Sequence, residues 1–147
     1  MKRVKDILRI KGDQVWSVSP DATVRDALQE MADKNIGAVL VMDRGRLAGI
    51  FSERDHARKL DLKGRRADET RVNEVMTQQV VGVRPDDSVD ECMALMTERR
   101  IRHLPVVDGG EVAGIVSIGD VVKSIISEQQ FLIEQLELYI TGTPQRR

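Results

Sequence analysis

Apolar residues follow two alternating rhythms along this chain, and the same succession of rhythms occurs twice. Two short extended pieces, VWSVSP and VVGVRP, each end on proline. A segment of helical period comes next. Val24, Ala27, Leu28 and Met31 recur at i, i+3, i+4, i+7, and Val89, Cys92, Met93 and Met96 repeat that spacing. Paired β-rich runs follow, AVLVM with LAGIF and LPVVD with VAGIV, around the turns DRGR and DGGE. Glycine in so short a connection predicts a β-hairpin in each half, and a second helix is predicted after each hairpin. The last helix is expected from about Asp120 to Ile140, with Gly142 and Pro144 as its stop. Val122, Ile125, Ile126, Leu132, Ile133, Leu136, Tyr139 and Ile140 carry its apolar stripe well past what the repeat needs. That excess predicts a cover for the core or a surface for another subunit.

The recurrence is a duplication. Sliding the chain by 65 residues lays 18–60 on 83–125 without a gap, and fourteen of the 43 positions are identical, far too many for shared composition alone. Upstream, VKDIL at 4–8 resembles VNEVM at 72–76 with an offset of 68, so the first copy carries about three extra residues near Lys11–Asp13. Two such copies usually bury against each other what neither buries alone. The expected organisation is repeat 1 over 1–64, a linker over 65–71, repeat 2 over 72–127, and a helical extension with tail over 128–147. The whole charged stretch 61–71, DLKGRRADETR, reads as solvated. The fold class is α/β (α+β): strand–helix–hairpin–helix, twice, plus a long C-terminal helix.

Composition narrows the function. Of 147 residues, 41% are hydrophobic and 32% charged, and the net charge of −1 lacks the basic footprint of a nucleic-acid binder. With Trp16, Tyr139, Phe51 and Phe131 as the aromatics, no stacking platform for single strands is present. The single Cys92 rules out an internal disulfide and a thiolate cluster, and His56 and His103 show no metal-ligand spacing, so no metal is expected. Cys92 aligns with Ala27 on an apolar helix face and reads as a small core residue, not a nucleophile. The N-terminus, MKRVKDILRIKGD, is too charged for a signal peptide, and no apolar run approaches membrane-spanning length, which predicts a cytoplasmic protein. A phosphate-binding P-loop, a dinucleotide fingerprint and paired catalytic carboxylates are all missing from the sequence, so a binding module is expected in place of an enzyme.

GIFSERD at 49–55 and GIVSIGD at 114–120 carry the candidate chemistry. Ser52-x-x-Asp55 and Ser117-x-x-Asp120 fit helix caps, as do Thr23-x-x-Asp26 and Ser88-x-x-Glu91. The first two differ in coming straight off a strand, where a helix N-terminus favours an anion. There a serine hydroxyl can hold a phosphate, and a carboxylate one turn on can accept both hydroxyls of a ribose. Caps alone, or two halves of a nucleotide site, both remain open on spacing. Arg54, Arg58, Lys59, Lys63, Arg65 and Arg66 form a basic run that is either a solvated face or a phosphate-steering rim.

The order of elements, G-I-x-S-x-x-D closing each hairpin, and RHLPVVD at 102–108 resemble the cystathionine-β-synthase (CBS) domain pair over about residues 4–127. The resemblance implies two repeats packed pseudo-symmetrically through their sheets, with two clefts between them. In many members such clefts bind adenosine-containing ligands, among them AMP, ADP, ATP, NAD(H) and S-adenosylmethionine. It implies phosphate-side contacts for Ser52 and Ser117 and ribose acceptors in Asp55 and Asp120. It also implies an adenine pocket lined by Ile36, Gly37 and Ala38 and by Ile101, Arg102 and His103, with each cleft drawing on both repeats. Arg102 and His103 match phosphate-contacting positions. Because Arg102-His103 replaces Gly37-Ala38, and Gly119 replaces Arg54, one cleft is expected to be roomier and the other more cationic, with unequal affinities. The reading is a regulatory module that binds an adenine nucleotide as a homodimer, with any output passing to an effector protein in trans. Its rival is a dimerisation scaffold whose Ser/Asp pairs only cap helices.

Overall fold

The computed structural model describes residues 2–141. The predicted Gly142 and Pro144 stop lies outside the described residues. Each half forms the expected units. In the first, β1 (Ser17–Val18) runs parallel to β2 (Ala38–Asp43), which pairs antiparallel with β3 (Arg46–Ser52). In the second, β4 (His103–Asp108) and β5 (Glu111–Ser117) form the hairpin, and Val83 makes a parallel bridge to Val106 in place of a full first strand. Both hairpins turn through two residues with positive φ, Arg44 and Gly45 in one and Gly109 and Gly110 in the other, which suits the right-handed twist of the strands. Each also carries a register shift one turn from its tip, after Val41 and after Val106.

Helices α2 (Val24–Lys34) and α5 (Val89–Arg99) lay their apolar stripes on these sheets. Val24, Ala27 and Met31 are buried in one, Val89, Cys92 and Met96 in the other. Thr23 and Ser88 cap them as the spacing predicts, accepting from the amides of Asp26 at 3.1 Å and Glu91 at 3.0 Å. Cys92 is a core side chain, and burial, with Asp87 and Glu91 nearby, pushes its thiol up to about 11.

The two cores exchange their opening helices. Val4 and Ile7 of α1 (Val4–Lys11) pack into the cluster of Val89, Met96, Leu104 and Val116, which belongs to the second half. Val72 and Val75 of α4 (Val72–Val75) pack with Val24, Val39, Phe51 and Leu60 of the first half. The backbone bonds repeat the exchange. The Val4 amide donates to the Asp87 carbonyl at 2.9 Å, and the equivalent Val72 amide donates to the Ala22 carbonyl at 2.8 Å. Covering each sheet this way needs a residue without a side chain beneath it. A Cβ on Gly114 would lie 2.8 Å from Leu8 Cδ2, and one on Gly49 would lie 2.7 Å from the Thr77 carbonyl oxygen. Both glycines of the duplicated Gly-Ile pairs therefore serve this close approach.

Two expectations need adjusting. The 61–71 stretch is not wholly solvated: Thr70 is buried, its carbonyl accepts the Val24 amide at 2.8 Å, and Ala67 packs against the first core. The exchange causes this, because the chain must be drawn back along α2 for α4 to reach the first half. The second helix of repeat 1 is also irregular. A single turn, α3 (Glu53–Asp55), passes into a π-helical turn over His56–Leu60, which swings Leu60 into the core. In repeat 2 the corresponding helix is continuous with the predicted extension as α6 (Ile118–Thr141).

Candidate functional site

Both Ser/Asp pairs close caps at the end of a strand. Asp55 accepts the Ser52 amide at 3.0 Å and the Ser52 hydroxyl at 3.1 Å on Oδ2, while its own amide donates back to Ser52 Oγ at 3.3 Å. Oδ1 of Asp55 accepts from the Thr77 hydroxyl at 3.2 Å and pairs with Lys59 at 2.9 Å. Asp120 accepts the Ser117 amide at 2.8 Å and Lys11 Nζ at 2.6 Å, both on Oδ2, and its amide donates to Ser117 Oγ at 3.2 Å. Burial alone would raise the Asp120 carboxyl, but Lys11 and the Ser117 amide outweigh it and hold the group below its usual range.

Two clefts open between the halves. The larger, of about 610 Å³, brings Ser52, Arg54 and Asp55 of the first half against Ile101, Arg102 and His103 of the second. Ser117 and Gly119 line its far side, and Thr77 its floor beside Asp55. The smaller, of about 390 Å³, gathers Ile36, Gly37 and Ala38 with Ser117 and His103, closed by Lys11 and Trp16. Each cleft thus joins strand residues of one repeat to a Ser/Asp serine of the other. Asp120 lines neither directly and reaches the smaller cleft through Ser117 and Lys11. Gly37, His103 and Ser117 are common to both.

His103 stands at that junction, with a Cβ placed on Gly37 lying 3.4 Å from its Cε1. Burial, and then the Lys11 ammonium, hold its imidazole below the ordinary histidine value. The neutral ring at pH 7 can accept or donate one hydrogen bond toward a ligand.

Charge is divided unequally, though not as the sequence suggests. Arg54, Arg58, Lys59, Arg99, Arg100 and Arg102 all line the larger cleft, against Glu53 and Asp55. The roomier cleft is therefore also the more cationic one. Each cleft joins segments of both halves, so Arg54 of one half and Arg102 of the other face the same space and their cations add. Arg54 also reaches across to the Arg100 carbonyl at the C-terminus of α5. The basic run divides: Arg54, Arg58 and Lys59 face the cleft, whereas Arg65 pairs with Glu74 and Arg66 with Asp68 outside it.

Arg99, Arg100, Thr77 and Lys11 also line the clefts, though the sequence pattern does not mark them as site residues. Arg99 and Arg100 have a local signal, since they immediately precede the Ile101–His103 segment. Thr77 follows VNEVM, and Lys11 lies where the first copy has its extra residues, so both depend on the exchange of opening helices.

Among the described residues, no cluster could hold a metal ion, and no helix is long and apolar enough to cross a membrane. The family model of the CBS domain matches residues 4–55 and 72–127. A mitochondrial CBS domain-containing protein of Arabidopsis thaliana is 38% identical over 95% of this chain and 72% of its own. The solved structure of a putative signal-transduction protein with CBS domains from Burkholderia ambifaria is 51% identical, covering 87% of this chain and 96% of that one at a TM-score of 0.85. A CBS domain protein from Pyrobaculum aerophilum, solved in complex with AMP, is 26% identical over 80% of this chain and 88% of that one, at a TM-score of 0.72.

Proposed function

The chain belongs to the CBS-domain family, and from that premise we propose that it is a regulatory module binding an adenine nucleotide (AMP, ADP, ATP or NAD(H)) between its repeats. The observation that carries the reading is the larger cleft, where a Ser/Asp pair at a helix start, a facing strand segment and six cations meet. Phosphates would lie against Ser52, Arg54 and Arg102, the ribose against Asp55, and the base along the Ile101–His103 backbone. The smaller cleft offers Ser117 with Ile36–Ala38, and a single cation in Lys11 that is paired to Asp120 behind it, to a less charged ligand. AMP in the Pyrobaculum relative supports the ligand class.

The working units are repeat 1 (1–64), a linker (65–71), repeat 2 (72–127) and the helical extension (128–147). The module performs no chemistry of its own and works as a cytoplasmic homodimer that passes its state to an effector protein in trans. Ligand would act by differential affinity for two arrangements of the halves. Because each opening helix is docked on the opposite half and ends at an aspartate of a Ser/Asp pair, occupancy of a cleft bears directly on that docking.

One observation favours the rival scaffold reading. Both oxygens of Asp55 are already engaged, by Ser52, Thr77 and Lys59. A thermal-shift panel of AMP, ADP, ATP, NAD and NADH separates the two. A ligand bound only to the native state at a hundred times its dissociation constant adds about 2.7 kcal/mol. No shift with any of the panel at millimolar concentration supports the scaffold instead.

A further inference from the structure

The larger cleft holds more positive charge than its own carboxylates balance. Six of its side chains are cationic and two, Glu53 and Asp55, are anionic, a surplus of four. Lys59 pairs with Asp55 at 2.9 Å. Among the described residues, Arg54, Arg58, Arg99, Arg100 and Arg102 form no ion pair, whereas Arg65 and Arg66 outside the cleft each meet a carboxylate. Arginine keeps its charge at any physiological pH, so the charges gathered here repel one another until an anion enters.

The backbone bears a cost at the same place. Arg100 follows α5 with φ 54, in the left-handed region, and the equivalent residue of the first half, Asn35, has the same φ. Asparagine and glycine accept that conformation readily, and a long side chain does so less well. The second half thus keeps a cation where the turn alone favours asparagine. The Arg100 carbonyl also accepts from Arg54, which ties that charge of the first half to the arginines of the second.

The surplus sets the kind of anion that fits. A triphosphate carries about four negative charges at neutral pH, matching it. A magnesium ion bridging the outer phosphates cancels about two of them and keeps several waters around itself, occupying oxygens that guanidinium forks would otherwise hold. The cleft has little with which to receive such an ion. Asp55 is engaged by Ser52, Thr77 and Lys59, so Glu53 alone would face it, among six charges of the ion's own sign.

We propose that the larger cleft takes a nucleoside triphosphate without its magnesium ion, so that magnesium and the protein compete for one ligand. This rests on the nucleotide reading above and specifies which form of the nucleotide is bound. At constant total nucleotide, occupancy of the cleft then rises as free magnesium falls. The module responds to the ion without holding it.

Isothermal titration of ATP into the full chain at matched ionic strength tests this, once with a chelator and once with magnesium in excess over nucleotide. Metal-free ATP should bind roughly tenfold or more tighter, the difference expected from at least one charge-assisted contact. AMP, which holds magnesium weakly, should bind equally in both. Arg99→Gln with Arg100→Gln removes two of the six cations and should shrink the magnesium effect, with far-ultraviolet circular dichroism confirming the fold. Three results would overturn the proposal and leave the nucleotide reading standing. They are an ATP affinity that magnesium leaves unchanged or raises, an equal magnesium effect on AMP, and an undiminished effect in the double variant. Absence of ATP binding in both titrations would overturn the two together.

Discussion

Lys11 and Asp120 are 109 residues apart in the chain and 2.6 Å apart in the fold. Thr77 stands in the same relation to Asp55, at 3.2 Å. In each case a residue at or just past the end of an exchanged opening helix, Lys11 ending α1 and Thr77 two residues beyond α4, lands on the aspartate of the opposite half's Ser/Asp pair. Each carboxylate is thereby in direct contact with the chain that docks on its half.

Replacing Lys11 by Met should raise the Asp120 pKa, because the ammonium is a main opponent of the burial that would otherwise raise it. A carboxylate held low in the fold contributes stability above the unfolded value of about 3.9, and loses it as pH falls through the lower folded value. The variant should therefore be less stable than the wild type near pH 7, by no more than about 1 kcal/mol for a partly exposed pair. The two should converge toward pH 2. Carboxyl NMR titration reads the pKa directly; an unmoved Asp120 would sink the assignment.

His103 gives a second pH signature of the same junction. Its folded pKa is lowered, so on acidification the unfolded chain takes up a proton before the fold does. Stability from this group is present above about pH 6.5 and falls as pH drops below that value, levelling off beneath the folded pKa. Melting temperatures from pH 8 to 5 should decline more in the wild type than in His103→Asn. An equal decline would mean that the ring is not held neutral by its surroundings.

The two equivalent glycines should tolerate a methyl group unequally. At Gly49 the added Cβ meets the Thr77 backbone oxygen at 2.7 Å, whereas at Gly114 it meets the end of the Leu8 side chain at 2.8 Å. A side chain can turn aside and a backbone carbonyl cannot, so Gly49→Ala should cost about 2–3 kcal/mol and Gly114→Ala about 1 kcal/mol. Urea denaturation of both variants tests the order. The reverse order would mean that α1 is the more rigidly docked of the two exchanged helices.

Much of this fold is legible in the sequence because its signals are local. Period places α2 and α5, the turns DRGR and DGGE place the hairpins, and the capping spacing marks four helix starts. The exchange of opening helices is not legible, since VKDIL and VNEVM would bury the same apolar residues against either half. Everything that depends on the exchange was hidden with it: Lys11 on Asp120, Thr77 on Asp55, and the buried Thr70. The π-helical turn at His56–Leu60, which ends on the fully buried Leu60, has no sequence counterpart either.

The division of charge makes the clefts distinguishable by ligand. The larger cleft should prefer ATP to AMP, with the preference shrinking as salt rises, since its cations are mostly exposed and therefore screened. Arg102→Ala should lower ATP affinity by about tenfold, as expected for one charge-assisted contact, and should change AMP affinity less. Fluorescence titration at 50 and 300 mM salt measures both effects. Equal affinities for the two nucleotides at low salt would contradict the role given to these cations.

The central claim is that Ser52 and Asp55 form a nucleotide site as well as a helix cap. Isothermal titration of ATP and AMP into wild type and Asp55→Ala, alongside urea denaturation of both, tests it most directly. Saturable binding to the wild type and at least a tenfold loss in the variant are expected. The loss of fold stability should be no larger than the 1–3 kcal/mol of a removed cap with its buried partners. Undiminished nucleotide affinity in a destabilised Asp55→Ala, or no binding to the wild type at millimolar concentration, would contradict it and leave the pair as a cap alone.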